Sequence, residues 1–287
     1  MENIDPDALE PGTEVLVGPG YLAGPGNGRA VFDSLGNAEG WTKVVAFGTD
    51  TYYTSPCQRV RVANAVKSHY GGWTITFAED PLGIPDWIVT FDRHTPDEVV
   101  AAFTATLVQG LPNHFADYLT GGKHYTGASP ATVFGSHQWE AVPGSRPFHS
   151  VSPDGHAAYQ MRVGWLHEYD ELLAPEKSMW RMSAGVDPVY APSWQAYFSR
   201  YTPQHLLTAS AVAFTDPTFV GRAVHQIPER HRSLVDVHLP ESAEPAPRTA
   251  AALARSSHAE GVPDRRPATA VASSPSLSHA AGSRRQR

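Results

Sequence analysis

Cysteine is nearly absent. Cys57 is the single one in 287 residues, so no disulfide can form within the chain, and zinc sites that take two or more thiolates from one chain are excluded. A solitary thiol is most simply a small buried apolar residue, not a nucleophile. No apolar stretch reaches the roughly 18 residues needed to cross a bilayer. The acidic start, Met1-Glu-Asn-Ile-Asp-Pro-Asp7, has no apolar segment of the kind a signal peptide carries. Both observations predict a cytoplasmic protein with no membrane partner. Basic residues are outnumbered, 22 Lys and Arg against 29 Asp and Glu, for a net charge of −7. Residues 241–287 hold seven Arg and four acidic residues, so the preceding residues carry −10. Duplex nucleic acid is bound by clustered cations that displace counterions, and an acidic body argues against that.

Fourteen His are present, yet none stands in an HExxH or similar ligand spacing. His149 with His156, and His167 with Glu168 and Asp170, are the local groups, and neighbouring positions on a strand point to opposite faces. No metal, no cofactor and no catalytic residue is therefore assigned. The run Gly18-Pro-Gly20 … Gly24-Pro-Gly26-Asn-Gly28 resembles a phosphate loop only superficially. It has no Lys-Ser/Thr, and its prolines remove N–H donors, so it reads as a turn.

The positive signal is a repeat, the first thing to look for because it governs the whole fold. Trp73 and Trp87 lie fourteen positions apart, as do Trp180 and Trp194. In each case a Phe follows the second Trp by four (Phe91, Phe198) and a Thr-Pro begins eight after it (Thr95, Thr202). Upstream, Tyr21-Leu-Ala-Gly24 precedes Trp41 by twenty positions, and Tyr118-Leu-Thr-Gly121 precedes Trp139 by twenty-one. A Ser-Pro pair then follows each Trp, at Ser55 and Ser152. One ordered set of landmarks, met twice, predicts two copies of one unit.

In copy one, Arg29–Leu35 reads as a short helix closed by Gly36, and Trp41–Tyr53 as a strand. Ser55-Pro56-Cys57 reads as a turn and Gln58–Val66 as a second strand. Trp73-Ile75-Phe77 and Trp87-Val89-Phe91 alternate with polar or smaller residues, the period of a half-buried strand, across a hairpin loop at Asp80–Pro85. A helix follows, with Thr95 as N-cap, Glu98 completing a capping box, and a stripe of Val99, Val100, Phe103 and Leu107 that Gly110 can end. Copy two repeats this outline. Its second strand carries Tyr159, Met161, Val163 and Trp165 on one face, and Thr202 opens the last helix. The Ser-Pro to third Trp distance is ten longer in copy two, and the excess falls in the acidic segment 168–176.

The predicted class is α+β: two related α-β-β-β-β-α units, each a four-stranded antiparallel meander packed against helices. The boundaries are an N-terminal segment 1–20, a first unit 21–112, a second unit 113–239 with the longer hairpin, and a tail 240–287. Pro, Ala, Ser and Arg dominate the tail, a composition that cannot bury enough surface to order itself, so it is predicted to be disordered.

Ser152-Pro-Asp-Gly-His-Ala-Ala-Tyr159, with the Trp, Trp-x3-Phe and Thr-Pro landmarks, resembles the SPDY domain, a family of unknown function from streptomycetes and their relatives. Tandem copies are a familiar arrangement there. Copy one departs from the eponymous motif, reading Ser55-Pro-Cys-Gln58. The resemblance implies architecture and no chemistry.

Trp41, Trp73, Trp87, Phe91, Trp139, Trp180, Trp194 and Phe198 read as core, since large aromatics anchor thin two-layer folds. Asp154 and Tyr159 around the Ser-Pro turn, His167, and Leu172 and Leu173 in the acidic insertion are the candidates for a partner or ligand. The first functional expectation is a non-catalytic interaction or ligand-binding protein, its partner an unknown protein or small ligand. An enzyme with one site in the diverged copy two (Asp154, His156, His167) is the second. A nucleic-acid-associated regulator using sheet aromatics and the Arg-bearing tail is the third.

Overall fold

The computed structural model describes residues 3–65, 71–119, 129–144, 148–164, 166–167 and 169–240. Trp165, Glu168, Thr120 and Gly121 of the Tyr118–Gly121 landmark and the tail from 241 lie outside them. In chain order the elements are β1 (Glu14–Gly18), α1 (Arg29–Gly36), β2 (Thr42–Ala46), β3 (Asp50–Thr54), β4 (Val60–Asn64), β5 (Trp73–Phe77), β6 (Trp87–Phe91) and α2 (Asp97–Leu119). Then follow α3 (Pro130–Ser136), β7 (Glu140–Ala141), β8 (Phe148–Val151), β9 (Ala157–Met161), α4 (Asp170–Leu173), β10 (Trp180–Ala184), β11 (Trp194–Phe198), α5 (Gln204–Thr215), β12 (Val220–Ala223) and β13 (Asp236–His238). Among the described residues no helix is long and apolar enough to cross a membrane.

Strands β2 to β11 form one ten-stranded antiparallel sheet in the order β2-β3-β4-β5-β6-β11-β10-β9-β8-β7. Each copy is thus a meander, and the two join edge to edge through their last strands. The join is symmetric. Phe91 faces Ala196, Val89 faces Phe198, and Thr90 faces its own counterpart Tyr197. Beyond the strands, Asp92 exchanges backbone and side-chain hydrogen bonds with Gln195, and Ser199 does the same with Ile88, the residue equivalent to Gln195. A pseudo-twofold axis passes between Thr90 and Tyr197.

Helices α1, α2, α5 and α3 cover one face, α2 packing on both α1 and α5. Phe103 of α2 touches Trp87 and Phe91 of copy one and Phe198 of copy two. Phe214 of α5 touches Trp139 and Trp194. One continuous cluster of buried side chains runs through both copies. Trp73, Trp87, Phe91, Trp139, Trp194 and Phe198 are buried in it, while Trp41 and Trp180 are partly buried against it.

The class is α+β with tandem antiparallel meanders, and several details differ from the expectation. Each meander has five strands, not four, because Trp41–Tyr53 is a hairpin. Phe47 and Gly48 both take positive φ (52° and 81°) and turn the chain between β2 and β3. Phe47 is an unusual residue for that conformation, and so hides the turn. Gly110 does not end α2, which continues to Leu119; a glycine inside a helix costs only about 1 kcal/mol. Strand β9 stops at Met161, so the alternation read through Val163 is not strand, and Val163 is exposed. The cap position of α5 is Pro203, which has no side-chain acceptor. Thr202 stands one place earlier, its hydroxyl 3.5 Å from that of Ser199. Glu98 turns away from a capping box to pair with Arg222 of β12. Thr95 Oγ1 lies 3.5 Å from Asp92 Oδ1.

A second, three-stranded sheet has the order β12-β1-β13. Residues near the two ends of the described unit thus close on each other, a pairing across some two hundred positions that no local pattern encodes. Each Ser-Pro landmark has a shared task as well. Ser55 Oγ accepts from Val60 N (3.0 Å) and Ser152 Oγ from Ala157 N (2.9 Å), so one buried hydroxyl closes the same turn in both copies.

Candidate functional site

The helices occupy one face of the large sheet, which leaves the other to be read row by row. A single cross-strand row runs His149, Gln160, Arg181, Tyr197, Thr90, Thr74, Ala63, Tyr52. The pseudo-twofold axis divides it. The members from copy two are His149, Gln160, Arg181 and Tyr197; their equivalents in copy one are Tyr52, Ala63, Thr74 and Thr90. The same positions are chemically rich in one copy and plain in the other.

Two segments fold over the rich half. The loop after β10 brings Pro188 and Val189 down, and their carbonyls accept from Arg181 Nη2 (3.4 and 3.2 Å). Ser183, fully buried, also donates to Pro188 O (2.6 Å). The insertion docks beside it, with the short helical turn Pro175–Lys177 lying over β6 and β11. Glu171, at the centre of that insertion, is buried, and its carboxylate accepts from Met179 N (2.6 Å) and Arg200 N (2.9 Å). Burial raises its pKa against the pull of those hydrogen bonds.

Between the insertion and the sheet lies a cavity of about 230 Å³ lined by Gln160, Arg162, Glu176, Ser178, Met179 and Arg181. Burial pulls the Arg181 pKa below the usual guanidinium value. Burial, and then the charge of Arg181, hold that of His149 below the usual imidazole value. His149 Nε2 is 3.0 Å from the Gln160 amide nitrogen and accepts from it. Burial raises the Tyr197 pKa, and its hydroxyl donates to Gln195 Oε1 (2.6 Å).

The candidates named on sequence fall elsewhere. Asp154 sits at the Ser-Pro turn and accepts from Tyr21 OH (2.6 Å), Ser152 Oγ (2.5 Å) and His156 N (3.0 Å). Burial acts to raise its pKa, but those three hydrogen bonds outweigh burial and hold the carboxyl below its ordinary value. Tyr21 belongs to the landmark that opens copy one, and Trp194 Nε1 donates to its carbonyl (2.8 Å). The upstream landmark of copy one is therefore bolted to copy two. Tyr159 is buried on the helix-covered face, its ring stacked 4.5 Å from Phe134. His167 is exposed beside Tyr169. The His156 ring makes no bond to Asp154; only its backbone N–H does. Leu172 is half-buried and Leu173 exposed. Removing the Tyr21 hydroxyl takes a donor from the exposed Asp154 carboxylate, where water can replace it, so Tyr21→Phe should destabilise the fold by only about 0.5–1.5 kcal/mol. Thermal melts of the two proteins check this, and an unchanged midpoint would show the tether to be idle.

Sequence reasoning missed Arg181, Gln160, Ser178 and Glu171. The signal that exposes three of them is a comparison of the copies: Arg181 against Thr74, Gln160 against Ala63, and an insertion that copy one does not have.

Two other constellations are closed. His231 Nδ1 donates to Leu22 O (2.9 Å), so Nε2 accepts from Ser193 Oγ at 2.6 Å. This resembles a nucleophile with its base, but His231 is 1% and Ser193 8% exposed, which makes the pair a tie between the second hairpin loop and the C-terminal segment. The glycine-rich loop wraps the start of α2, where the Asp97 carboxylate accepts from Gly28 N. A donor that a phosphate would need is thus taken by an internal carboxylate. Beside it is a cavity of about 250 Å³. Cys57 is exposed, 3.2 Å from Ser55 Oγ. Among the described residues no three His, Cys, Asp or Glu stand together as a metal site.

Asp97 gives a pH prediction. Burial, partly offset by the Gly28 N–H, pushes its pKa up to about 6, above the roughly 3.9 of a free carboxyl. The folded state then holds the proton more tightly than the unfolded one. This contribution to stability is complete below about pH 4 and is lost as pH rises through 6. Asp97→Asn abolishes it. The melting-temperature difference, wild type minus variant, should therefore climb as pH falls from 6 to 4 and be flat above 7; a flat difference throughout would refute the assignment.

A family model matches the chain twice, at residues 54–112 and 151–220, under the description SPDY, a domain of unknown function (DUF317). The chain carries two segments in tandem that match the SPDY domain. Comparison with curated proteins and with solved structures gave no match. Each SPDY match begins just before a Ser-Pro turn and takes in three strands and the long helix after them. Helices α1 and α3 and hairpins β2–β3 and β7–β8 precede the matched segments, yet they repeat too. Gly40 and Gln138, at equivalent places before Trp41 and Trp139, both take positive φ (74° and 61°). The structural unit that repeats in this chain is larger than the matched domain.

Proposed function

We propose that this tandem SPDY protein is a non-catalytic binding protein for a small ligand, and that the ligand surface is the outer face of the second domain. The observation that carries the reading is the broken symmetry of one strand row. His149, Gln160, Arg181 and Tyr197 replace Tyr52, Ala63, Thr74 and Thr90 on a sheet whose backbone otherwise obeys the pseudo-twofold axis. Polar and charged side chains are rarely buried without a purpose or a partner. Here they are half-covered by an insertion that creates a cavity over them, the concave arrangement with a few converging polar groups that ligand sites share. The first domain, with the same fold and no such row, serves as scaffold.

The test is a metabolite screen on the purified full chain, followed by amide NMR and by mass spectrometry of the same mixtures. Binders should shift resonances of β9, β10 and the insertion and leave the metabolites chemically unchanged. Turnover of a library member would replace this reading with an enzyme. Shifts confined to the first domain would misplace the surface.

A further inference from the structure

We infer that the cavity over the second SPDY domain receives a single oxyanion, the carboxylate or phosphate of a small molecule, with Arg181 as its principal ligand. This rests on the binding reading above and names its chemistry. Arg181 is a half-buried cation, and among the described residues no carboxylate pairs with it. Its acceptors are two backbone carbonyls, both on Nη2, and its Nε–H is buried with no acceptor at all. Carbonyl dipoles leave the net charge in place. A partly desolvated charge without a counter-charge is a cost to the fold, and a guanidinium edge with a buried, vacant Nε–H matches an oxyanion.

Ser178 points independently to the same occupant. It lines the cavity, is 5% exposed, and its Oγ has no hydrogen-bond partner. A buried hydroxyl left unsatisfied costs about 1–3 kcal/mol, so a second donor waits in the same wall. Gln160, held by His149, supplies an amide, and Arg162 adds a second guanidinium, anchored by its Nη1 on Lys177 O (3.0 Å). Glu176, the acidic member of the lining, is exposed, where water screens its charge. At about 230 Å³ the cavity is smaller than the ~300–1,000 Å³ that encloses drug-sized ligands, which limits the occupant to a small anion or the charged end of a larger molecule. The counterparts Thr74 and Ala63 offer no such charge, so the stoichiometry is one per chain.

The experiment titrates inorganic phosphate and, separately, acetate into the full chain, with sodium chloride holding ionic strength constant. The Arg181 Nε–H resonance and the melting temperature are followed. The expected result is a saturable one-site response that moves the Nε–H peak. Arg181→Lys should weaken it at least tenfold and Ser178→Ala severalfold, while Thr74→Ala leaves it unchanged. A response to phosphate alone, or to acetate alone, supports the proposal and picks the anion. Saturation undiminished in Arg181→Lys, or a peak unmoved by both anions, overturns it. The wild-type peak makes the test independent of whether a variant folds. If both anions are silent while uncharged metabolites still shift β9 and β10, the oxyanion falls and the binding surface stands; if nothing shifts them, both fall.

Discussion

Glu98→Ala should lower the melting temperature by roughly 10 °C. The reason is the partner it abandons. Arg222 of β12 is almost wholly buried, its side chain 4% exposed, and both its terminal nitrogens reach the Glu98 carboxylate, at 2.8 and 2.6 Å. Its other acceptors are the carbonyls of Gly24 and Gly221. Removing Glu98 leaves a guanidinium in the interior with carbonyl dipoles and only the more distant charge of Asp97, a loss of about 3–5 kcal/mol. For a unit of this size each kcal/mol is worth about 2–4 °C. The reverse substitution is milder. In Arg222→Met the orphan is Glu98, whose side chain is 38% exposed and can be rehydrated. The double variant should recover most of the loss, because apolar replacement of a whole buried pair is often neutral. Calorimetry on the three proteins decides it: equal losses in the two single variants, or additive losses in the double, would remove the pair as the cause.

Trp87→Ala and Trp194→Ala should each cost about 3–5 kcal/mol, the usual penalty for emptying the space of a buried indole. The two rings hold equivalent places, 1% exposed, under Phe103 and Phe214 respectively. Phenylalanine should then separate them. Trp194 Nε1 donates to Tyr21 O, so Trp194→Phe deletes a hydrogen bond as well as area, about 1 kcal/mol beyond Trp87→Phe. Trp87 Nε1 has no acceptor, and its loss removes a polar group that was buried for nothing. Denaturant melts of the Phe variants should rank Trp194→Phe below Trp87→Phe, and the opposite order would contradict the tether.

The parts of this fold that could be read in the chain are those whose physics is local. Trp73-Ile75-Phe77 and Trp87-Val89-Phe91 declare strands because alternate side chains meet the same core. Ser55 and Ser152 declare turns because Pro and a short hydroxyl shape the backbone nearby. The parts that stayed hidden depend on distant contacts. Arg181 looks like the solvent side of a half-buried strand, and is partly covered only when residues 185–193 and the insertion fold across it. Arg222 meets Glu98 over 124 positions, and β1 finds β12 and β13 from the far end of the unit. Phe47 concealed a hairpin by turning the chain without a turn residue on its own account. The repeat itself held the best clue to the site, since the same row reads Thr74 and Ala63 in one copy and Arg181 and Gln160 in the other.

The symmetric seam between β6 and β11 bears on how such a chain could have arisen. Thr90 meets its own equivalent across the axis, which is the pairing two identical units would make. Two identical molecules joined there would carry every change on both sides, whereas one polypeptide can keep Thr74 in one half and place Arg181 in the other.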